Sequence, residues 1–373
     1  MKVLIISTDV KILEEGGVVR SRMLDYGTIC DELNIIVASL GGSKEKIKIG
    51  PNVFVYPTAS INKFFSRLSL LSIGVRIKAD IVTAQDPFET GFLAWRVARR
   101  IGAKLELQIH TDFLNPYFVK GNFLNRMRVL LARFLLPRAG GIRVVSERIK
   151  KSLQVTSYKL QVPITILPIY VDAKKMMETK PSINLHAKYP QFKFIVFAAA
   201  RLEPEKNIAL ALDALKIVTN NYPNVGFVIA GSGSLESDLK LKTKNLKLEN
   251  NVVFEGEVKD VISYCKTADL YLTTSDYEGY GLSLIEAALS GCPIVTTDAG
   301  IVGEILKDGE NALVCEPGNK KCLAEKISRS ITDPEFRKNI KRSAMADTLK
   351  TLTEDKDSYL ELYKSMWIKL SSK

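Results

Sequence analysis

The chain contains little of what metal centres, disulfide frameworks and membrane spans require. Its 373 residues include five cysteines and two histidines, and no two cysteines form a C-x-x-C pair. We therefore expect neither a zinc site nor a disulfide framework, and a reducing cytoplasm is the default compartment. No apolar run approaches the ~20 residues of a transmembrane helix. Met1–Ser7 has one lysine and a very short apolar run, which is typical of a first buried strand rather than a signal peptide.

Acidic residues are scarce in one part of the first half. The net charge is +12, and residues 60–151 hold 17 Lys or Arg against 6 Asp or Glu, a surplus of 11. Within 122–139, Arg126, Arg128 and Arg133 alternate with apolar residues, which predicts a basic amphipathic helix. Such a helix can lie on anionic lipid, so we predict membrane contact through these three arginines. A core helix with a solvated basic face is the alternative. Nucleic acid is disfavoured because no interleaved set of stacking aromatics accompanies the charge.

Short β-rich runs alternate with longer helical patterns along the chain, which indicates parallel sheets. The length corresponds to about two domains. The first strand is not followed by G-x-G-x-x-G and no acid ends the second, so a hydride-transferring dehydrogenase is disfavoured. Pro168 and Asp172 follow a strand end and mark the exit from the first domain. We predict domains over 1–172 and 173–355 and an amphipathic C-terminal helix over 356–373.

Two cations lie in a loop between a strand and a helix. The apolar run 194–200 leads into Arg201–Asn207, and a helical pattern follows from Ile208. Open α/β sheets bind ligands at the carboxyl ends of their strands. Arg supplies a planar fork for phosphate and Lys a point charge. Arg201 and Lys206 are therefore candidate phosphate ligands.

Two carboxylates flank a glycine-containing turn further along the chain. Glu278 and Glu286 stand eight positions apart, with Tyr280-Gly281-Leu282 between them at the start of a helical segment. Backbone N–H groups at a helix N-terminus favour phosphate. An ionised carboxylate accepts up to about four hydrogen bonds and can hold hydroxyl groups. Phosphate and polyol recognition together predict a sugar nucleotide as ligand.

These two motifs carry a family resemblance. A-R-L-E-P-E-K-N at 200–207 and E-G-Y-G-L-S-L-I-E-A-A-L-S-G-C-P-I-V at 278–295 resemble the retaining glycosyltransferases of family 4, the glycosyl transferases group 1. The resemblance covers nearly the whole chain and is strongest over 194–317. It implies the α/β GT-B fold, in which two Rossmann-like domains face each other across a cleft and a C-terminal helix crosses back to domain one.

The resemblance also implies an activity. A hexose-type sugar would pass with retention from a UDP- or GDP-sugar to a glycan or lipid-linked acceptor in cell-surface polysaccharide or glycolipid synthesis. Arg201 and Lys206 would stabilise charge on the leaving diphosphate, Glu278 would face the transferred sugar, and Glu286 would hold the ribose. The turn at Tyr280, Gly281 and Leu282 is expected to contact the diphosphate. Gly231 and Gly17, each in a glycine-containing turn, are further candidates for donor contact, and Val258 would lie near the base. For Gly231 and Gly17, a plain glycine turn is the competing explanation.

Strand ends in the first domain supply candidates for acceptor binding. His110 and Asp112 match an H-x-D segment of the family. His110 is therefore a candidate catalytic residue that could donate to a sugar hydroxyl or aid the acceptor, although a lone histidine is more often structural. Asp86 could contact the acceptor or equally cap the following helix. Arg20 could add a cation after Gly17.

We expect no cofactor and no metal, because no Asp-x-Asp lies in a suitable strand-end loop and two cations are already present. The expected location is cytoplasmic and peripheral on the inner face of the cell membrane. Two alternatives remain. One is a sugar-nucleotide 2-epimerase of similar fold, which needs extra acid and base carboxylates. The other is a non-catalytic membrane scaffold, against which the intact set of charged residues argues.

Overall fold

A computed structural model describes residues 1–155 and 160–372. The chain forms two compact units, Met1–Pro168 together with Thr353–Lys373, and Ile169–Leu352. Each unit is a largely parallel sheet covered by helices. The predicted α/β fold with two Rossmann-like halves is therefore confirmed, as is the return of the C-terminal helix to the first unit.

The sheet of the first unit has the order β3-β4-β2-β1-β5-β6-β7-β8 among the described residues. Its strands are β1 (Lys2–Ser7), β2 (Glu32–Val37), β3 (Ile47–Lys48), β4 (Val53–Pro57), β5 (Ile81–Ala84), β6 (Lys104–Ile109), β7 (Gly141–Val144) and β8 (Ile164–Ile166). The central strands are apolar on both faces, as expected where helices cover both sides of a parallel sheet. Two-residue β3 pairs antiparallel with β4 at the edge and is too short for the sequence pattern to reveal.

Helices lie on both faces of this sheet. They are α1 (Val18–Gly27), α2 (Lys63–Gly74), α3 (Glu89–Ile101), α4 (Pro116–Gly121), α5 (Phe123–Leu135), α6 (Glu147–Val155) and the C-terminal α15 (Lys356–Ser371). Helix α3 packs between α2 and α5. Alternate residues of β6 point to opposite faces: Leu107 lies beside Gly91 of α3, whereas Gln108 contacts Tyr363 of α15.

The second unit has a six-stranded parallel sheet in the order β11-β10-β9-β12-β13-β14. Its strands are β9 (Phe194–Ala199), β10 (Val225–Ala230), β11 (Val252–Gly256), β12 (Leu270–Leu272), β13 (Ile294–Thr297) and β14 (Leu313–Cys315). Its helices are α7 (Ala173–Glu178), α8 (Leu185–Lys188), α9 (Ile208–Thr219), α10 (Glu236–Asn245), α11 (Val261–Thr267), α12 (Leu282–Leu289), α13 (Lys320–Thr332) and α14 (Pro334–Thr351). Helices α9 and α13 pack together over an apolar core centred on β9, β10 and β12.

A disulfide joins Cys315 at the end of β14 to Cys322 in the first turn of α13. The sequence, from which we expected no disulfide framework, did not indicate this single bridge. The strand-to-helix turn brings the two Cα atoms within 5.9 Å, a distance typical of bridged cysteines. Their spacing of seven residues matches no motif, so only the turn geometry reveals the pair. Cys30, Cys265 and Cys292 are free thiols.

Helix α15 is attached to the first unit by a buried arginine. Arg143 of β7 is 3% exposed, and its guanidinium lies 4.8 Å from the ring centroid of Tyr363. It donates to two carbonyls at the end of the unit and to three side chains: Leu167 O (3.0 Å), Pro168 O (3.1 Å), Gln108 Oε1 (3.1 Å), Tyr359 OH (3.0 Å) and Tyr363 OH (3.4 Å). One side chain thus connects β6, the segment after β8 and α15.

Replacing Arg143 with lysine should destabilise the first unit by about 2–4 kcal/mol, because one ammonium group cannot satisfy five acceptors at these positions. The chain's two tryptophans, Trp95 and Trp367, both lie in this unit, so their fluorescence during urea unfolding reports on it selectively. The matched control is Arg76→Lys, an exposed arginine of the same unit, with an expected change within about 0.5 kcal/mol. Equal unfolding midpoints for the two variants would contradict the role of Arg143.

Candidate active site

The candidate donor site lies where the strand order of the second sheet reverses. From β9 the chain adds β10 on one side, and later adds β12 on the other side. The loops after β9 and β12 therefore leave neighbouring parallel strands at the same edge. Such reversal points are where open α/β sheets bind ligands. The two sequence motifs occupy these two loops.

Hydrogen bonds hold the two loops together. Thr274 Oγ1 donates to the carbonyls of Lys206 (3.1 Å) and Asn207 (2.9 Å). Asn207 Nδ2 donates to Asp276 Oδ1 (2.9 Å), and the Asp276 backbone N–H donates to Glu205 O (2.9 Å). The loop after β9 is therefore fixed against the loop after β12 by backbone and side-chain contacts on both sides.

An ion pair between Lys206 and Glu278 joins the two motifs. Each side chain is 18% exposed, and Ser275 Oγ donates to Glu278 Oε1 at 2.8 Å. The sequence assigned separate roles to these residues and did not reveal their pairing. The adjacency of β9 and β12, which the Rossmann-like order implies, is the signal that could have predicted it. The arrangement combines a phosphate-binding cation with an acceptor for sugar hydroxyls.

Arg201 lies at the surface of the same loop. Its side chain is 72% exposed, and Nη2 pairs with Glu205 Oε1 at 2.7 Å. Neighbouring Glu203 accepts from the backbone N–H (3.0 Å) and the hydroxyl (2.8 Å) of Ser234. Arg201 thus has a surface partner and is not in contact with Lys206 or Glu278 among the described contacts. Exposed pairs contribute about 0–1 kcal/mol, so an anionic ligand can replace Glu205 at small cost.

The turn before α12 places a helix N-terminus beside Glu278. Gly281 adopts φ +86° immediately before Leu282, a conformation that favours glycine. Tyr280 is buried, and its carbonyl accepts from the Ile301 N–H at 3.0 Å. A Cβ at Gly300 would lie 2.5 Å from that carbonyl, so the two loops require this glycine for their close approach.

Glu286 lies one turn into α12. Burial raises the pKa of this carboxyl to about 7. Within 1–155 and 160–372 we find no hydrogen bond or ion pair to it. Tyr271 and Cys265 lie near enough for the Glu286 charge to affect their ionisation. The group is therefore a partly buried carboxyl without a compensating partner from the described chain.

Glycines after β10 serve backbone packing. Gly231 has φ +132°, and a Cβ there would lie 1.9 Å from Ala200 O. A Cβ at Gly233 would lie 2.5 Å from Leu202 O. These contacts explain both glycines by the approach of this loop to the loop after β9. Val258 follows β11 and is partly exposed.

In the first unit the strand order reverses between β1 and β5, and a cavity of about 630 Å³ lies there. Thr8 follows β1 and Asp86 follows β5, and both line the cavity with Glu89 and Arg128. Asp86 Oδ1 accepts from the Phe88 N–H (2.8 Å) and Oδ2 from Thr90 Oγ1. Asp86 thus holds the turn that leads into α3, although the residue at the N-cap position is Phe88. Burial raises the pKa of the Asp86 carboxyl.

The other candidates of this unit are held by neighbouring side chains. Burial, with the nearby charges of Arg143 and Arg22, lowers the pKa of His110 to about 3, so the imidazole is neutral at physiological pH. His110 Nε2 lies 3.3 Å from Gln108 Oε1. Asp112 accepts from Ser152 Oγ at 3.1 Å, and burial raises the pKa of its carboxyl.

Gly17 and Arg20 lie at the start of α1. Gly17 is the residue that precedes the helix, and Arg20 Nη1 approaches Glu15 Oε1 at 3.7 Å. Gly17 has φ −69°, so its backbone conformation does not demand glycine. A Cβ there would instead approach the Glu14 carbonyl at 3.3 Å.

The three arginines of α5 occupy two environments. Arg126 and Arg133 are exposed. Arg128 pairs with Glu89 of α3 at 3.1 Å, and its guanidinium lies 5.7 Å from the Phe88 ring centroid. Arg128 therefore belongs to the cavity wall, whereas the other two face solvent.

Two searches over the described residues gave no candidate. No described helix combines the length and apolarity that a bilayer crossing needs. Likewise, no group of three His, Cys, Asp or Glu side chains in 1–155 and 160–372 is arranged to hold a metal ion.

Comparison with known proteins finds a family model that matches most of the second unit. The model of the family "Glycosyl transferases group 1" matches residues 183–347. The resemblance of the two motifs to the glycosyl transferases group 1 is therefore confirmed over this segment. The matched segment contains Arg201, Lys206, Glu278 and Glu286.

Individual proteins resemble the chain more broadly. The alpha-monoglucosyldiacylglycerol synthase of Streptococcus pneumoniae is 25% identical over 285 residues, covering 69% of this chain and 64% of that protein. The chain thus spans less than two thirds of that relative. HepE of Anabaena, solved in complex with UDP and glucose, has a TM-score of 0.77 at 20% identity over all of both chains. Sucrose-phosphate synthase of Thermosynechococcus elongatus has a TM-score of 0.83 at 15% identity, also over both whole chains. These structures show that the fold is GT-B.

The pKa of Glu286 predicts a pH-dependent stability. The folded chain binds this proton more tightly than the unfolded chain, for which the pKa is 4.5. The contribution of Glu286 to stability should therefore be most favourable below the unfolded pKa and fall as pH rises towards about 7, then level off. Relative to Glu286→Gln, the wild type should lose about 2 kcal/mol between about pH 5 and pH 8. Calorimetric unfolding at several pH values measures the difference.

The control for this experiment is Glu249→Gln, which changes an exposed glutamate of the same unit. Its stability profile should run parallel to that of the wild type. A parallel profile for Glu286→Gln would instead mean that the Glu286 carboxyl is not held protonated.

Proposed function

We propose that this chain, whose second unit matches the glycosyl transferases group 1, is a retaining glycosyltransferase of family 4. It moves a hexose-type sugar from a UDP- or GDP-sugar to a glycan or lipid-linked acceptor in cell-surface polysaccharide or glycolipid synthesis. The observation that carries the proposal is the Lys206–Glu278 pair beside the N-terminus of α12, at the reversal point of the second sheet. The second unit binds the donor and the first unit the acceptor.

The reaction needs stabilisation of the leaving diphosphate. Cleavage of the anomeric C–O bond leaves its electron pair on a phosphate oxygen. Lys206 and Arg201 place positive charge in that loop, and the N–H groups of the first turn of α12, from Leu282 onward, add partial positive charge. Preorganised groups of this kind stabilise the developing charge more than they stabilise the bound ground state. The proposal needs no metal ion, because these groups supply the charge.

Two carboxylates divide the recognition of hydroxyl groups. Glu286, partly buried, accepts hydrogen bonds from the ribose hydroxyls, which would lower its raised pKa. Glu278 accepts from hydroxyls of the transferred sugar while Lys206 remains near the diphosphate. Tyr280 and Gly281 shape the turn, Gly231 lets its loop approach the loop after β9, and Val258 lies on the side of the base.

Retention follows from attack on the face that the diphosphate leaves. The acceptor oxygen forms a bond to the anomeric carbon, the carbon–phosphate-oxygen bond breaks, and the acceptor proton passes to the leaving phosphate. No strong protein base is required. His110, neutral at physiological pH, serves as a hydrogen-bonding group rather than as a cation.

The acceptor binds in the first unit. Asp86, with its cavity of about 630 Å³, supports this assignment, and Asp112, Arg20 and Gly17 belong to the same unit. We further propose that the enzyme is cytoplasmic and peripheral on the inner face of the cell membrane. The exposed Arg126 and Arg133 support that location.

Lys206→Ala should lower turnover of the donor by about 100-fold or more, since one preorganised donor to the leaving group is lost. The measurement is release of nucleoside diphosphate, with circular dichroism to verify folding. Lys244→Ala, an exposed lysine of α10 in the same unit, should keep wild-type turnover. Near-wild-type turnover for Lys206→Ala would refute its role. If the wild type binds the donor but does not turn it over, the chain is better described as a scaffold. Exchange of the hydrogen at C2 of the donor sugar would favour an epimerase.

Binding of the sugar nucleotide should depend on the ionisation of Glu286. In calorimetric titrations of UDP- and GDP-sugars with EDTA present, one donor class should bind, and its affinity should fall about tenfold per pH unit below about pH 7. These diphosphate diesters have no phosphate group that titrates there, so the protein is the source of the effect. Glu286→Gln should bind weakly with a flat profile. A profile of the same slope in that variant would exclude Glu286.

A further inference from the structure

Large exposed apolar side chains concentrate on two helices of the first unit. In α5, Phe123 is 75% exposed and Leu130 57%, while in α2 and the residues before it Phe64 is 64% exposed and Ile61 87%. The remaining members on these helices are Phe65, Leu68, Leu124, Met127 and Phe134. Soluble monomers rarely expose contiguous apolar patches beyond a few hundred Å², and larger ones mark interaction sites.

These side chains follow the helical repeat. On α5, Phe123, Met127, Leu130 and Phe134 are spaced by four, three and four residues, so they form one stripe. The opposite face of α5 already packs on the unit through Val129, Ala132 and Leu135. On α2, Phe64 and Leu68 are spaced by four, while Leu70 is buried against the unit. Each helix therefore has a second apolar face that the described chain leaves exposed.

The charge around both stripes has one sign. Residues 57–79 and 113–146, which contain the two helices, include no Asp or Glu. Lys63 and Arg67 on α2, and Arg126 and Arg133 on α5, are exposed. Basic side chains beside an exposed apolar stripe are the combination that binds an anionic lipid interface.

The two helices border one cavity. Lys63, Arg67 and Leu70 of α2 and Arg128 of α5 line the same space of about 630 Å³, with Asp86 at the reversal point of the sheet. Helix α3 packs between α2 and α5. The two helices that carry the stripes therefore lie in one layer of the first unit and border the same cavity.

We propose that α2 and α5 form a two-helix bilayer-docking surface, which inserts Phe64, Leu68, Met127 and Leu130 into the interface of an anionic membrane. This inference rests on the proposed function, because docking brings the cavity to the level of a lipid-borne acceptor. A second copy of the chain is the competing occupant. Symmetric pairing would bring Lys63, Arg67, Arg126 and Arg133 against like charges without acidic partners, which disfavours it.

Co-sedimentation with vesicles of equimolar phosphatidylcholine and phosphatidylglycerol tests the surface. The wild-type protein should bind, and part of the binding should persist at high salt, where attraction between exposed charges is screened. Phe64→Ser with Leu68→Ser, and separately Met127→Ser with Leu130→Ser, should each weaken binding about tenfold or more at every salt concentration. Arg126→Gln with Arg133→Gln should weaken it at low salt only.

The matched control is Leu241→Ser, which removes an exposed leucine of α10 in the second unit and should leave vesicle binding unchanged. The α2 and α5 variants should hydrolyse the sugar nucleotide at the wild-type rate. This result separates the present inference from the proposed function. The two-helix surface would be overturned if the wild-type protein did not bind the vesicles, or if the α2 variants bound them like wild type. Neither result would contradict the proposed glycosyltransferase activity. A concentration-dependent dimer that the same substitutions dissolve would assign the surface to a second copy.

Discussion

The first unit depends on the burial of a single positive charge. Arg143 loses nearly all its hydration on burial. Hydrogen bonds to two backbone carbonyls after β8, an amide on β6 and two phenols on α15 replace the lost contacts with water. Because a buried ion is tolerated only with its partners in place, formation of this cluster requires three segments from distant parts of the sequence to be docked together. The same cluster reaches His110 through Gln108, and the Arg143 charge helps to keep that imidazole neutral. Arg143 thus attaches the C-terminal helix and also adds to the effect of burial on the ionisation of a candidate site residue.

Parallel β-sheets impose the second constraint. The order of strands reverses once in each sheet. At each reversal the loops that follow two neighbouring strands lead in opposite directions, which leaves room between them. In the second unit this places Lys206 beside Glu278, 72 residues apart in sequence. In the first unit it places Thr8 and Asp86 on one cavity. The candidate donor and acceptor residues follow from one topological rule applied twice.

The sequence predicted those features that a short local pattern of residues indicates. The apolar run 194–200 corresponds to the strand Phe194–Ala199, and the two motifs identified the loops and the family model that matches 183–347. It did not predict contacts between segments that become neighbours only when the strands pair in the sheet. The Lys206–Glu278 pair, the Cys315–Cys322 disulfide and the turning of Arg128 towards Glu89 all join residues that no local pattern connects. At Gly231, glycine is required by the backbone of a neighbouring loop, which is the competing explanation that the sequence left open beside a ligand contact.

Both cations of the proposed donor site already have carboxylate partners, Lys206 with Glu278 and Arg201 with Glu205. An incoming diphosphate must therefore compete with these carboxylates, which reduces the net gain from binding the ground state. As the anomeric bond breaks, the leaving oxygen gains charge that the glutamates do not, and the balance of attraction moves towards the phosphate. Paired cations of this kind contribute more to the transition state than to the bound substrate, which is the condition for catalysis. The ion pairs that hold the loops together are thus compatible with turnover rather than opposed to it.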